Sequence, residues 1–200
     1  MISETFKKNE MITGIEIKRK AVHLATLVIP LGYGFTSDVT VLTFLIPFFL
    51  LYLAVDLLRH FHTGLSSLFQ DHFFGRVLRE KEKPSLMGST YFLFASILTI
   101  LLFPKPIAIV SLLILILSDT AAALVGKGIG KISIFGKTLE GTMAFIFSSL
   151  LIIWIYPGID RLSGSFAALG AALIELLPIP LDDNLTIPLV AGAIMFYGMG

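Results

Sequence analysis

The sequence predicts an all-α, polytopic membrane protein: about seven transmembrane helices, an amphipathic helix at the membrane surface, and the N-terminus in the cytoplasm. Three observations predict it. Of 200 residues, 56% are hydrophobic and only 14% charged, whereas soluble domains carry roughly 25% charged residues. Apolar runs recur along the whole chain with lengths near those needed to cross a bilayer as helix. The basic residues gather in alternate connections, as the positive-inside rule requires.

The runs are Ala21–Phe35, Val39–Val55, Gly88–Phe103, Pro106–Val125, Leu139–Tyr156, Leu162–Leu177 and Leu185–Tyr197. Several are short and need tilt or local thinning of the bilayer. The last, rich in Gly and carrying Pro188, has the weakest pattern. With the N-terminus inside, Lys7, Lys8, Lys18, Arg19, Lys20, Arg59, Arg76, Arg79, Lys81, Lys83, Lys127, Lys131 and Lys137 fall on the inner side, and only Lys105 and Arg161 outside. In segment 57–84, Leu57, Phe61, Leu65, Leu68, Phe69, Phe73 and Val77 form one helical stripe. It reads as a helix on the inner membrane surface or as a linker packed on the bundle. His60, His62 and His72 are expected at the surface.

The chain reads as one integral membrane domain over residues 1–200, with residues 1–20 as a cytoplasmic segment. There is no cysteine, which excludes disulfides, thiolate metal sites and a cysteine nucleophile. The net charge of +1 carries little information beside its distribution. No signal peptide is expected, because the first twenty residues are polar and the first apolar run lacks a small-residue cleavage site.

The most informative stretch is Ser118–Gly141, SDTAAALVGKGIGKISIFGKTLEG. An Asp inside an apolar helix costs roughly 2.5–3.5 kcal/mol by insertion scales, so Asp119 needs a partner or a purpose. In the expected topology Asp119 lies about 9 Å from the inner end of its helix. Glu175, Asp182, Asp183 and Asn184 approach the same leaflet, as do Asp56 and the segment Lys18, Arg19, Lys20 and His23. Such oxygen donors suit Mg²⁺ or another divalent cation, which typically takes one or two carboxylates plus substrate phosphates. In the loop 126–141, Gly126, Gly128 and Gly130 permit close backbone approach, and Lys127, Lys131 and Lys137 supply positive charge. Thr138 stands where a helix N-cap would. Lysines are expected on this side for topology alone, and Lys18, Arg19 and Lys20 are read as membrane-surface, orientation-setting residues. Gly136-Lys137-Thr138 is not a P-loop, since position 131 is Lys where that motif needs Gly and no strand precedes it.

These residues resemble a known family. The Ser118–Gly141 run is similar to the signature of the CTP-dependent lipid-alcohol kinases, the group of dolichol kinase, phytol kinase and yeast-type diacylglycerol kinase. IKRKAVHL at Ile17–Leu24, REKEKPSLMGSTYF at Arg79–Phe92 and ELLPIPLDDNLTIPL at Glu175–Leu189 resemble further elements of it. Thr138 departs from the serine more usual there but keeps the hydroxyl. The central motif is distantly similar to that of phosphatidate cytidylyltransferases, whose C-terminal signature is missing here.

The resemblance implies transfer of the CTP γ-phosphate to a membrane lipid alcohol, a prenol, polyprenol or diacylglycerol. It implies Asp119, Glu175, Asp183 and Asn184 as the metal set, with Asp182 beside them. Gly126, Lys127, Gly130, Lys131, Lys137, Thr138, Glu140 and Gly141 would form the nucleotide site, and His23 or Asp182 the proton acceptor beside Asp119. The expected location is a cell membrane, the inner membrane in a prokaryote, with the site facing the cytoplasm. Two other readings stay open: a cytidylyltransferase, and an ion-coupled transporter that uses the same intramembrane acids. Nucleic acid is not an expected partner, and a homodimer is compatible with the small size.

Overall fold

The computed structural model describes residues 14–61 and 86–198, most of them helical. The order is α1 (Gly14–Ala25), α2 (Val28–Phe35), α3 (Asp38–Phe61), α4 (Gly88–Leu102), α5 (Lys105–Leu113), a π-helical segment (Ile114–Ser118), α6 (Asp119–Ile129), a hairpin of β1 (Ser133–Ile134) and β2 (Lys137–Thr138), α7 (Leu139–Ile155), α8 (Arg161–Leu176) and α9 (Asp183–Gly198). The amphipathic segment lies outside the described residues beyond Phe61, as do residues 1–13.

Most of the expected runs coincide with helices, but the first does not. Ala21–Phe35 is broken at Thr26 and Leu27 into α1 and α2. Pro30 is the cause: it has no N–H to donate to the Thr26 carbonyl, which accepts from Ile29 at 3.0 Å instead. The Thr26 hydroxyl donates to the His23 carbonyl at 2.5 Å and turns the chain there.

Among the described residues two helices are long and apolar enough to cross a membrane, Asp38–Leu58 and the continuous Lys105–Ile129, with shorter apolar helices at Gly88–Leu102 and Leu139–Ile155. The two long ones differ in place: 67% of the Lys105–Ile129 window is buried against 11% for Asp38–Leu58. The former is the central helix and the latter a peripheral one. Around the central helix pack α4, α7 and α9, with α8 laid against α7 and α9. The α8 face is built of Gly164, Ala167, Ala168, Ala171 and Ala172, all buried, so the backbones approach closely.

Among the described residues the outer surface is apolar as well as the core. Phe35, Val39, Phe44, Phe147, Ile155 and Leu162 stand largely exposed, while Ser96, Ser111 and Thr120 are buried. Each buried hydroxyl donates to the carbonyl four residues back in its own helix, Phe92, Ile107 and Ile116 respectively, which satisfies it without water. An apolar outer surface of this extent marks a membrane protein.

Candidate active site

Asp119 opens α6 directly after the π-helical segment, a local irregularity often found at functional sites. The segment is anchored on α7 by a 2.9 Å hydrogen bond from Ser149 to Ser118. Asp119 finds its partner on α1: Lys20 Nζ lies 2.5 Å from its Oδ2 and 3.2 Å from its backbone carbonyl. His23, one turn further along α1, places Nε2 3.6 Å from the same Oδ2 and 3.5 Å from the Leu115 carbonyl. The Lys20 side chain is only 7% exposed, so the pair is held in a poorly hydrated place where charge–charge attraction is strong.

A second cation-and-acid cluster faces it. Lys137, on β2, lies 3.0 Å from Glu175 Oε1 and 3.1 Å from Asp183 Oδ2, and also donates to the Glu175 carbonyl. It thereby ties the hairpin to the end of α8 and the start of α9. Burial raises the Asp183 carboxyl above its ordinary value, and the Lys137 ammonium draws it back down.

Both clusters line one cavity of about 460 Å³. Arg19 and Lys20 come from α1; Asp119, Gly126 and Lys127 from α6; Gly136, Lys137 and Thr138 from the hairpin; and Gly141, Glu175 and Asp183 from the three following helices. Four cationic side chains against three acids leave its wall net positive.

Thr138 organises the cavity's floor. It is the N-cap of α7, its Oγ1 accepting from the Gly141 amide at 3.1 Å. A methyl group on Gly126 would stand 2.7 Å from that oxygen, one on Gly130 2.7 Å, and one on Gly141 3.0 Å. Three of the glycines are therefore there to let α6, the hairpin and α7 close on Thr138. Gly128 is not one of them, since a methyl there meets nothing within 4 Å. Glu140 fastens the loop from outside, accepting from the Ile132 amide at 3.3 Å.

Several expected site residues are placed elsewhere. Asp182 and Asn184 do not line the cavity. Asp182 Oδ1 accepts from the Asn184 amide at 3.0 Å and its side chain at 2.7 Å, and the Asp182 carbonyl accepts from Leu185 and Thr186, which builds the start of α9. Lys131 is exposed beside the loop. Asp56, expected at the same polar end, instead accepts from the Met87 amide at 2.9 Å and Thr90 Oγ1 at 2.5 Å, capping α4 from α3. Among the described residues, no group of three His, Cys, Asp or Glu is arranged to hold an ion. Lysine is the reason, Lys137 bridging Glu175 and Asp183 while Lys20 covers Asp119.

The converse surprise is Arg19 and Lys20, which sequence reasoning assigned to orientation and the fold places in the cavity wall. The signal was available: an intramembrane Asp needs a counter-charge, and Lys20 and His23 share one face of α1 at the same end.

Fold and site together define a class: a helical membrane protein with a net-positive, acid-bearing cavity walled by glycine and opening beside an N-capped helix, an arrangement suited to a polyphosphate. The chain is 35% identical to an uncharacterised protein of Rickettsia prowazekii over 189 residues, 87% of this chain and 90% of that one. It is 28% identical to CTP-dependent diacylglycerol kinase 1 of Schizosaccharomyces pombe over 209 residues, 92% and 94% of the two chains. With a probable chloroplastic phytol kinase 1 of Glycine max it shares 27% over 164 residues, 72% of this chain and 54% of the other. No family model matches the chain, and no solved structure does. The chain belongs to the CTP-dependent lipid kinase family.

Proposed function

We propose that the protein is a multi-pass membrane enzyme with its N-terminus and site on the cytoplasmic side, transferring the γ-phosphate of CTP to the hydroxyl of a membrane lipid alcohol. The observation that carries this reading is the pair of facing clusters, Lys20–Asp119 and Lys137–Glu175–Asp183, across one glycine-walled cavity. Phosphoryl transfer is mostly positioning and charge neutralisation, and those are the properties such a cavity has.

In this reading Arg19, Lys20, Lys127 and Lys137 neutralise phosphate oxygens, while the glycines at 126 and 141 let the chain approach closely. The lipid oxygen forms a bond to the γ-phosphorus as the bridging bond to the β-phosphate breaks, releasing CDP. Neither His23 nor Asp182 lines the cavity, but His23 Nε2 lies 3.6 Å from Asp119 Oδ2 while Asp182 is engaged at the start of α9, so His23 is the proton acceptor in this reading. Asp119, Glu175 and Asp183 would hold a magnesium ion only once Lys20 and Lys137 are drawn off them; all three are oxygen donors on one cavity, and Glu175 Oε2 is buried with no hydrogen-bond partner. When bound, the ion supplies further neutralisation of the phosphate charge.

The test is purified protein with Mg²⁺, γ-labelled CTP and a panel of lipid alcohols including phytol, a polyprenol and diacylglycerol. Label entering one lipid is the expected result. CDP-lipid with release of pyrophosphate would establish a cytidylyltransferase instead, and ion flux without CTP binding a transporter.

A further inference from the structure

Large apolar side chains stand exposed in and around the hairpin between α6 and α7: Ile129 at the end of α6, Ile132 before β1, Phe135 in the turn and Leu139 at the start of α7. Phe135 is the informative one. The two-residue turn Phe135-Gly136 joins the paired residues Ile134 and Lys137, and its φ angles are 51° and 81°. Positive φ at both positions is the type I′ pattern, which Asn-Gly or Gly-Gly adopts readily. A bulky aromatic at the first position is strained, and among the described residues Phe135 is the one non-glycine with positive φ. Its side chain is nevertheless 66% exposed, so intramolecular packing offsets little of that strain. Holding a phenyl ring outward in this way is favourable where apolar surroundings receive it.

The surface around the turn indicates what those surroundings are. Leu139, Met143 and Phe147, exposed at four-residue spacing along α7, continue the apolar surface of the hairpin into the outer wall of the bundle. Lys131, exposed just before β1, complements anionic headgroups.

We propose that the hairpin tip is a membrane anchor: Phe135 and Ile132 enter the headgroup layer of the bilayer that holds the protein, with Lys131 facing anionic lipid. Gly136 and Lys137, immediately after Phe135, line the cavity. Seating the tip therefore fixes the height of the cavity floor above the apolar phase, where the hydroxyl of a lipid would lie. The inference rests on the membrane-embedded reading and is independent of the reaction.

The chain has one tryptophan, Trp154, which is exposed on α7 and serves as a built-in control. Wild type, Phe135→Trp/Trp154→Phe and Ile132→Trp/Trp154→Phe are reconstituted into phosphatidylcholine–phosphatidylglycerol vesicles with lipids nitroxide-labelled near the headgroup. The expected result for both tip variants is blue-shifted emission, loss of fluorescence to the lipid nitroxide and shielding from aqueous acrylamide, all without nucleotide. If Trp154 is quenched by lipid while the tip tryptophans respond only to acrylamide, the anchor is refuted. Shielding that develops only on adding CTP refutes it too, since the nucleotide would then be the cover. If neither Trp154 nor the tip is quenched by lipid, the membrane-embedded reading falls with it.

Discussion

Gly141→Ala tests the closure of the site most directly. A methyl group at position 141 would stand 2.8 Å from the Ala122 backbone carbonyl, 3.0 Å from Thr138 Oγ1 and 3.3 Å from the Gly126 α-carbon. Two of those neighbours are backbone, so no side-chain rotation relieves the clash, and α6 and α7 must separate. Overpacking of this kind costs about 1–3 kcal/mol, and in a chain of this size each kcal/mol lowers Tm by about 2–4 °C. The same shift moves Thr138 and Lys137 away from Asp119, and a displacement near 1 Å at a reacting centre costs on the order of 100-fold in rate.

Gly128→Ala is the matched comparison, because it lies in α6, the helix against which Gly141 packs, with open space around it. There the substitution removes a poor helix former and is expected to stabilise by up to about 1 kcal/mol. Thermal unfolding in detergent measures the stabilities, and the γ-labelled CTP assay measures the rate. Equal stability and activity for Gly141→Ala and wild type, or a larger loss at Gly128 than at Gly141, would refute the packing argument.

Lys137→Met strands the buried Glu175 carboxylate and is expected to destabilise by about 1–3 kcal/mol, whereas the double variant Lys137→Met/Glu175→Gln regains most of that in thermal unfolding while transfer stays lost. Thr138→Val removes the acceptor of the Gly141 amide at a cost of about 1 kcal/mol, and Thr138→Ser keeps both the cap and the activity, as read in the same two assays. Asp160 caps α8 by accepting from the Ser163 amide at 2.8 Å, which holds its carboxyl below the ordinary value. Its stabilisation is therefore complete above that ordinary value and fades as pH falls through the lowered one, so unfolding of Asp160→Asn measured against pH should lack this acid-side decline.

What was legible in the sequence was what depends on neighbours along the chain. Apolar runs, the acid inside one of them and the cluster of glycine, lysine and threonine after it are local patterns, and they coincide with α3 to α9 and with the cavity floor. The break in the first run was also legible in principle, because a proline four residues after Thr26 removes one defined hydrogen bond. The π-helical segment was not. It lies in a stretch where Ile114, Leu115, Ile116 and Ser118 are buried, and the unbroken apolar run that leads to Ser118 leaves no periodicity to interrupt.

Partner choice was the least legible, because it depends on helix rotation and not on composition. Lys20 and Asp119 are 99 residues apart and Lys137 and Glu175 are 38 apart, and no spacing rule connects them. By the commonest role of each residue type, the acids would go to a metal and the basic run Lys18–Lys20 of α1 to the membrane surface. Folding couples the two groups instead. An acid in an apolar bundle is expensive alone, and the nearest cations at the same end are those left at the boundary by the positive-inside rule. The residues that set orientation are thus the ones available to neutralise the site, and a phosphate chain entering the cavity would have to draw Lys20 and Lys137 partly away from Asp119, Glu175 and Asp183. The acids so released are the donors a divalent cation would need, so nucleotide and metal should bind with positive cooperativity: titration calorimetry with CTP should show a higher affinity with Mg²⁺ than without, and equal affinities would count against the exchange of partners.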